Sequence, residues 1–222
     1  MEQKFRDRLI NGAVNFGLKL TPLQVSYFDK FAENLVLWNR IAGITSNRAI
    51  EDIVDNMFLD SLAFNNLNIN INGLNTCDFG TGGGFPGIPL KIAYTQLNIS
   101  LIDSSSKKCS FLEQVSKNFG FENFFVFCER GGTSSFKKQF LSSFDLVFSR
   151  ACADISKLVE LICPSLKPGG RLIAWKGPLW TSEVENADQV MKKYGVFIES
   201  YHDYNILNTE AVKTLVLIKK GF

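Results

Sequence analysis

Residues 77–87 read Cys77-Asp78-Phe79-Gly80-Thr81-Gly82-Gly83-Gly84-Phe85-Pro86-Gly87. Before them, Leu74 to Phe79 is a short run of strand character; after them, Ile88 to Tyr94 continues as a helix. Strand, glycine turn and helix form the unit with which an open α/β sheet brings backbone against a ligand at the carboxyl ends of its strands. Three ligand chemistries compete for such a turn. A P-loop needs Lys-Ser or Lys-Thr after its last glycine, but Ile88-Pro89 follows Gly87. A dinucleotide turn needs G-x-G-x-x-G; Gly80 and Gly82 fit, and the third place, residue 85, is Phe. That ring, with Pro86 behind it, disfavours close approach of a pyrophosphate to the helix N-terminus.

The third reading is S-adenosylmethionine, which carries no pyrophosphate. It asks for backbone room beside the strand, an acid for the ribose hydroxyls and an apolar slot for the adenine. Asp78, two residues before Gly80, can hold either the glycine loop or the methionine ammonium. Asp103 ends the next strand, Asn98 to Ile102, where a carboxylate accepts from ribose hydroxyls; it can equally serve the start of the helix that follows. Gly131-Gly132 follow the third strand, Phe124 to Cys128, and either let the adenine lie against the backbone or form a plain turn.

The pattern extends outward on both sides. Ser106 to Phe119 is helical, Phe144 to Ser149 a strand, Ile155 to Leu166 a helix, Lys167-Pro168-Gly169-Gly170 a turn and Arg171 to Trp175 a strand. This alternation predicts right-handed βαβ units and a mainly parallel sheet. A helix over 182–194 precedes two closing strands, Val196 to Tyr201 and Val212 to Lys219, read as an antiparallel edge pair. The fold class is therefore α/β: a Rossmann-like, mostly parallel seven-stranded sheet with an antiparallel edge pair and an N-terminal helical segment. Residues 1–65 form that helical extension. Thr21-Pro22 begins one helix there as cap and first residue, and Ala49 to Phe64 forms another. Residues 66–222 form the ligand-binding domain.

Composition removes several classes. The net charge is +2 over 222 residues, so a polyanion site must be a local patch. Twenty Phe point to packing. Five cysteines without a C-x-x-C pair, and a single His, argue for reduced, buried thiols and against zinc. The opening MEQKFRDRLINGAVNFG lacks an apolar core, so no signal peptide is expected, and no stretch is long enough to span a membrane. A cytoplasmic location follows.

Over nearly its whole length the chain resembles the bacterial small-subunit ribosomal RNA guanine-N7 methyltransferase family. The resemblance is carried by Trp38-Asn39 with Thr45-Ser46, Leu59-Asp60-Ser61, the block Asp78 to Leu90, Leu101-Ile102-Asp103-Ser104 with Lys107-Lys108, Ser149-Arg150-Ala151, and Gly170-Arg171-Leu172 through Lys176-Gly177. Gly43, Gly131-Gly132 and the segment Glu210 to Thr214 depart from the family's pattern. The resemblance implies a class I S-adenosylmethionine-dependent methyltransferase acting on small-subunit rRNA or the assembled subunit. It places Gly80, Phe85 and residues 131 and 132 at the cofactor, Asp103 on the ribose, and Arg150 at the cofactor and substrate side as the catalytic candidate.

Guanine N7 carries an in-plane lone pair and no proton, so its methylation needs no general base. The chain is consistent with this: His202 lies in an edge strand, and Ser149-Arg150-Ala151-Cys152 replaces the Pro-Pro tetrad of adenine amino methylation. Cys152 lacks the Pro-Cys context of a cytosine-C5 nucleophile. Lys107, Lys108 and Lys176 are the first RNA-contact candidates, followed by Lys137-Lys138, Arg40 and Arg48. Methylation of another base or of a small molecule, and a non-catalytic role in ribosome assembly, stay open at this stage.

Overall fold

The computed structural model describes residues 1–46, 49–206 and 211–222. The N-terminal segment holds α1 (Gln3–Asn15), α2 (Pro22–Ala42) and a helical stretch built in pieces: α3 (Ile50–Ile53), a π-helical turn (Val54–Leu59), α4 (Asp60–Leu62) and a 3₁₀ turn (Ala63–Leu67). Then come β1 (Asn75–Phe79), α5 (Gly87–Ala93), β2 (Asn98–Asp103), α6 (Ser106–Phe119), β3 (Phe124–Cys128), α7 (Ser134–Phe140), β4 (Phe144–Arg150), α8 (Ile155–Ile162), β5 (Leu166–Lys176), α9 (Trp180–Tyr194), β6 (Val196–Tyr204) and β7 (Lys213–Lys220). The strands form one seven-stranded sheet in the order β3-β2-β1-β4-β5-β7-β6. Only the pairings made by β7 are antiparallel. The strand order reverses beside β1, so the carboxyl ends of β1 and β4 flank the topological switch point where open α/β sheets bind ligands.

Side chains alternate between two cores, as a period of two dictates. Leu146, Phe148, Ile173, Trp175, Leu215 and Leu217 face a core shared with α1, α2, α5 and α6. Val147, Leu172, Ala174, Val216 and Ile218 face the core covered by α7, α8 and α9. The N-terminal helices therefore pack on one sheet face within a single continuous core. Helix α2 begins with a reciprocal capping box between Thr21 and Gln24 and ends at Gly43 in the left-handed region. Gln24 also donates to the carbonyls of Ile92 and Ala93, tying this helix to the end of α5.

Phe31, fully buried on α2, lies at the centre of that first core. Its ring sits 5.6 Å from Phe58, 5.3 Å from Phe85 of the glycine loop and 6.4 Å from Phe111 of α6.

Five expectations change. The single helix over 49–64 is broken by the π turn. Helix α7 stands where the sequence offered only a glycine pair; Thr133 caps it by accepting from the Phe136 N–H, and Phe136 and Phe140 anchor it. The Lys167–Gly170 turn is folded into β5 as a bulge, because β4 advances from Phe144 to Leu146 while β5 advances from Leu166 to Arg171. Strand β6 runs on to Tyr204. Cys128 and Cys152 are exposed, since both lie where strands run out into loops, while Cys77, Cys109 and Cys163 are buried. Among the described residues no helix is long and apolar enough to cross a membrane.

Replacing Phe31 by Ala is expected to lower the unfolding free energy by about 3–5 kcal/mol. Leu37→Ala, on the exposed side of the same helix, should change it by less than about 0.5 kcal/mol. Urea titrations of the two variants compare them directly, and equal midpoints would refute the central role of Phe31.

Candidate functional site

Asp78 is fully buried at the end of β1. Its Oδ2 accepts from the Thr81 hydroxyl at 2.6 Å and from the Gly87 N–H at 2.8 Å, so it clasps both ends of the glycine loop. Its Oδ1 is buried without a partner among the described residues. Burial pushes this carboxyl up to about 7, against the opposing pull of the bonds from Thr81 and Gly87. Asp103, at the end of β2, holds the same loop from the other side: Oδ2 accepts from the Gly82 N–H and Oδ1 from the Ser105 N–H, both at 2.9 Å. The loop thus hangs between acids of two adjacent parallel strands.

A cavity of about 470 Å³ opens at these strand ends. Phe79, Gly80, Ile102 and Leu161 give it an apolar lining, and Asp103, Glu129 and Lys108 give it charge. Gly131 must lack a side chain, because a Cβ there would sit 2.2 Å from Phe79 Cζ. Gly80, at φ +70°, lies under the Cys152 thiol, which a Cβ would meet at 2.5 Å. Although Cys152 is exposed as a residue, the covering of its thiol raises its pKa, so it is a poor thiolate nucleophile.

A second cavity, of about 350 Å³, adjoins the first at Ala151, which lines both. Ala151 has φ +51°, a conformation non-glycine residues seldom adopt and one that clusters at functional sites. Arg150 lines the second cavity only. Its Nη1 donates to the Asn56 carbonyl at 2.7 Å and to Asp60 Oδ2 at 2.8 Å, and its guanidinium carbon lies 5.1 Å from the Phe85 ring centroid. Asp60 Oδ1 accepts from the Tyr204 hydroxyl at 2.6 Å and from Lys213 Nζ at 2.9 Å, while its carbonyl accepts from Trp175 Nε1 at 2.8 Å. Burial and the neighbouring Asp60 push the Tyr204 phenol well above its ordinary range.

The structure brings Gly80, Asp103, Gly131 and Lys108 to the first cavity and Arg150 and Lys176 to the second. Asp78 and Gly82 sit in the loop that shapes the first. Phe85 is a core ring beneath Arg150, 3% exposed, and outside both linings. Gly132 makes room for Leu161, which a Cβ would meet at 2.7 Å. Lys107 is exposed on α6. Lys176 does not offer the free charge expected of it: its ammonium turns inward to the Ala153 carbonyl at 2.7 Å and to Glu183 at 2.6 Å. Lys137, Lys138 and Arg40 are exposed, His202 lies half-buried on edge strand β6, and Arg48 lies outside the described residues.

Sequence reasoning assigned no role to Asp60, Trp175, Tyr204, Lys213 or Glu129. One signal was present for Asp60: a carboxylate inside the apolar run Met57-Phe58-Leu59-Asp60-Ser61-Leu62, where only a satisfied or functional acid is tolerated.

Comparison with known proteins bears on the fold and the family. The fold resembles that of a ribosomal protein L11 methylase from Lactobacillus delbrueckii subsp. bulgaricus, with a TM-score of 0.55 at 16% identity over 81% of this chain and 83% of that one. It also resembles M. jannaschii TYW2, solved in complex with AdoMet, with a TM-score of 0.51 at 17% identity over 68% of each chain. In sequence, a ribosomal RNA small subunit methyltransferase G of Lachnoclostridium phytofermentans is 35% identical over 211 residues, covering 95% of this chain and 87% of the relative. One from Caldanaerobacter subterraneus subsp. tengcongensis is 32% identical over 220 residues, covering 99% and 92%. The profile of the family described as rRNA small subunit methyltransferase G matches residues 24–210, and the chain belongs to that family.

Proposed function

We propose that the protein transfers the methyl group of S-adenosylmethionine to N7 of a guanine in small-subunit ribosomal RNA, in the cytoplasm. The observation that carries this reading is the pair of cavities meeting at Ala151, the second walled by donors. Among the described residues its one lining carboxylate, Asp60, is already engaged by three side-chain donors, and its phenol is held protonated. No described group there is poised to take a proton. That suits an acceptor atom with a free lone pair and nothing to lose, as guanine N7 has.

The first cavity fits the cofactor by its donor set. Behind the lining, Asp78 Oδ1, buried and without a partner among the described residues, matches a ligand ammonium that reaches past the glycine loop. Asp103 keeps lone pairs beyond those given to Gly82 and Ser105 for ribose hydroxyls. Phe79, Ile102 and Leu161 offer an apolar slot for an adenine. When bound, S-adenosylmethionine supplies a sulfonium-activated methyl group. The chain's own work is positioning and electrostatics. Asp78 and Asp103 fix the loop, and Ala151 stands where the two cavities meet. Arg150, held on Asp60 and stacked over Phe85, presents a donor edge to the acceptor. A donor on N7 itself would block attack, so Arg150 is assigned to an oxygen of the nucleotide. In this reading residues 1–65 close the acceptor side through Asn56 and Asp60, and residues 66–222 hold the cofactor. Lys107 and Lys108 are the remaining candidates for RNA phosphates.

Label transfer from S-adenosylmethionine to small ribosomal subunits from cells lacking the protein tests the function. Label in RNA with strand scission after N7-specific chemistry is the expected result; label in protein, or none, would refute it. In the same assay Arg150→Ala should lower turnover by about a hundredfold, and near-normal turnover would remove Arg150 from the site.

Asp78 also generates a pH dependence. Its folded-state pKa lies above the ordinary carboxyl value of 3.8. In the free protein the group's contribution to stability is therefore present at low pH and is lost as pH rises from about 4 through about 7. The ionised form is the one that holds an ammonium. Cofactor affinity is expected to rise between about pH 6 and about pH 7.5, and Asp78→Asn should flatten that rise. Calorimetric titration across this range checks it; an unchanged slope in the variant would separate Asp78 from the ligand.

A further inference from the structure

We propose that Asp60 is a positioning residue for the methyl acceptor: it fixes Arg150 and Lys213 so that one unspent positive edge faces the second cavity and takes an acceptor oxygen of the target nucleotide. The inference rests on the reading above and names the group that sets the acceptor side.

Three observations converge on it. The first is the charge count around Asp60. Two cations, Arg150 and Lys213, pair with its single carboxylate, leaving one positive charge in excess among the described residues. Lys176, lining the same cavity, is neutralised by Glu183. The excess is thus local to Arg150 and Lys213. Both hydrogen bonds of Arg150 run through Nη1; Nε and Nη2 have no partner among the described residues.

The second is origin. The donors reach Asp60 from the ends of β4, β5, β6 and the start of β7, up to 153 residues away in sequence. A buried ion cluster is a poor way to gain stability, since apolar side chains of like volume do as well or better. One carboxylate gathering side chains from three strands at a cavity wall, with its own carbonyl bonded from a fourth, is better explained by the orientation it imposes.

The third is the backbone. Asp60 follows a π turn in which its own N–H reaches the Asp55 carbonyl, five residues back. The extra residue shifts Asp60 round the helix, and the Asn56 carbonyl accepts Arg150 Nη1. Such turns are rare and gather at functional sites. Here one distortion serves both bonds that hold the guanidinium.

The test is Asp60→Asn in the full chain, assayed by label transfer to small ribosomal subunits from cells lacking the protein, with calorimetric S-adenosylmethionine affinity and melting temperature alongside. The expected result is a split. Turnover falls by about tenfold or more, and cofactor affinity stays within about twofold. KM for subunits is unchanged or lower, with a steeper salt dependence, because a negative charge has left the RNA-facing wall. A structural role alone would not combine lost turnover with retained or tighter RNA binding.

Lys213→Met then distinguishes the source of the oxygen. A salt slope reduced by about one indicates a phosphate, and an unchanged slope indicates a base carbonyl. Turnover of Asp60→Asn within about twofold of wild type would overturn the inference. So would turnover, KM and cofactor affinity all worsening together with the melting temperature. Should Asp60→Asn not fold, Tyr204→Phe, which removes one donor to Asp60 but no charge, must lower turnover while cofactor affinity and salt dependence stay within about twofold of wild type, and the absence of that loss overturns the inference. Failure of the wild-type protein to label RNA would instead bring down the function itself.

Discussion

The clasp of Asp78 on the glycine loop is the constraint from which the site is built. A carboxylate with no solvent contact is costly unless its oxygens are bonded. Oδ2 is bonded twice, to groups at the two ends of the loop. That fixes where β1 hands over to α5, and Asp103 fixes the middle through the Gly82 N–H. With the loop set, Phe85 is driven into the ring cluster of Phe31 and Phe58, so α2 is held against the cofactor side. Arg150 then lies over the outer face of Phe85. A bond inside the first cavity's wall thereby determines where the second cavity's guanidinium stands.

The architecture was legible because its signals are local. Strand–helix alternation, the Thr21-Pro22 start and the glycine turn each follow from residues adjacent in sequence, and the sheet order obeys the rules for crossover connections. The misses share a different cause. Helix α7 is seven residues long and owes its stability to Phe136 and Phe140 in the second core. Propensity over so short a window cannot reveal that. The bulge in β5 depends on where β4 places its partners. The π turn depends on what Asp60 meets, and those partners lie 90 to 153 residues away.

The same distinction runs through the site. Asp103, Gly80 and Gly131 were readable because each lies at or just after a strand end, and strand ends in a parallel sheet share one edge; Lys108, an RNA-contact candidate in sequence, lines the first cavity from α6. The family resemblance places Phe85 at the cofactor, while its ring packs in the core beneath Arg150, a direction that the sequence of the loop does not set. Lys176 was read as free charge, but the nearby Glu183 on α9 captures it. Nothing in the spacing of Lys176 and Glu183 distinguishes an inward pair from two solvated charges.

The two cavities differ in a way that bears on how one protein can serve a small ligand and a polyanion side by side. The first carries both signs, with Asp103 and Glu129 against Lys108, Arg130 and Lys157, over the buried Asp78. A ligand bearing ammonium, sulfonium and carboxylate groups finds a counterpart for each. Among the described residues the second carries a net positive wall, because its one acid is outnumbered by the cations bound to it. Such a wall favours an anionic partner over a second cationic ligand. Ala151, small, uncharged and in a left-handed conformation, is the only described residue the two linings share. Its neighbours divide between them: Arg150 lines the second and Cys152 the first. A backbone strained at φ +51° thereby sets an acidic-and-basic cavity beside a positive one.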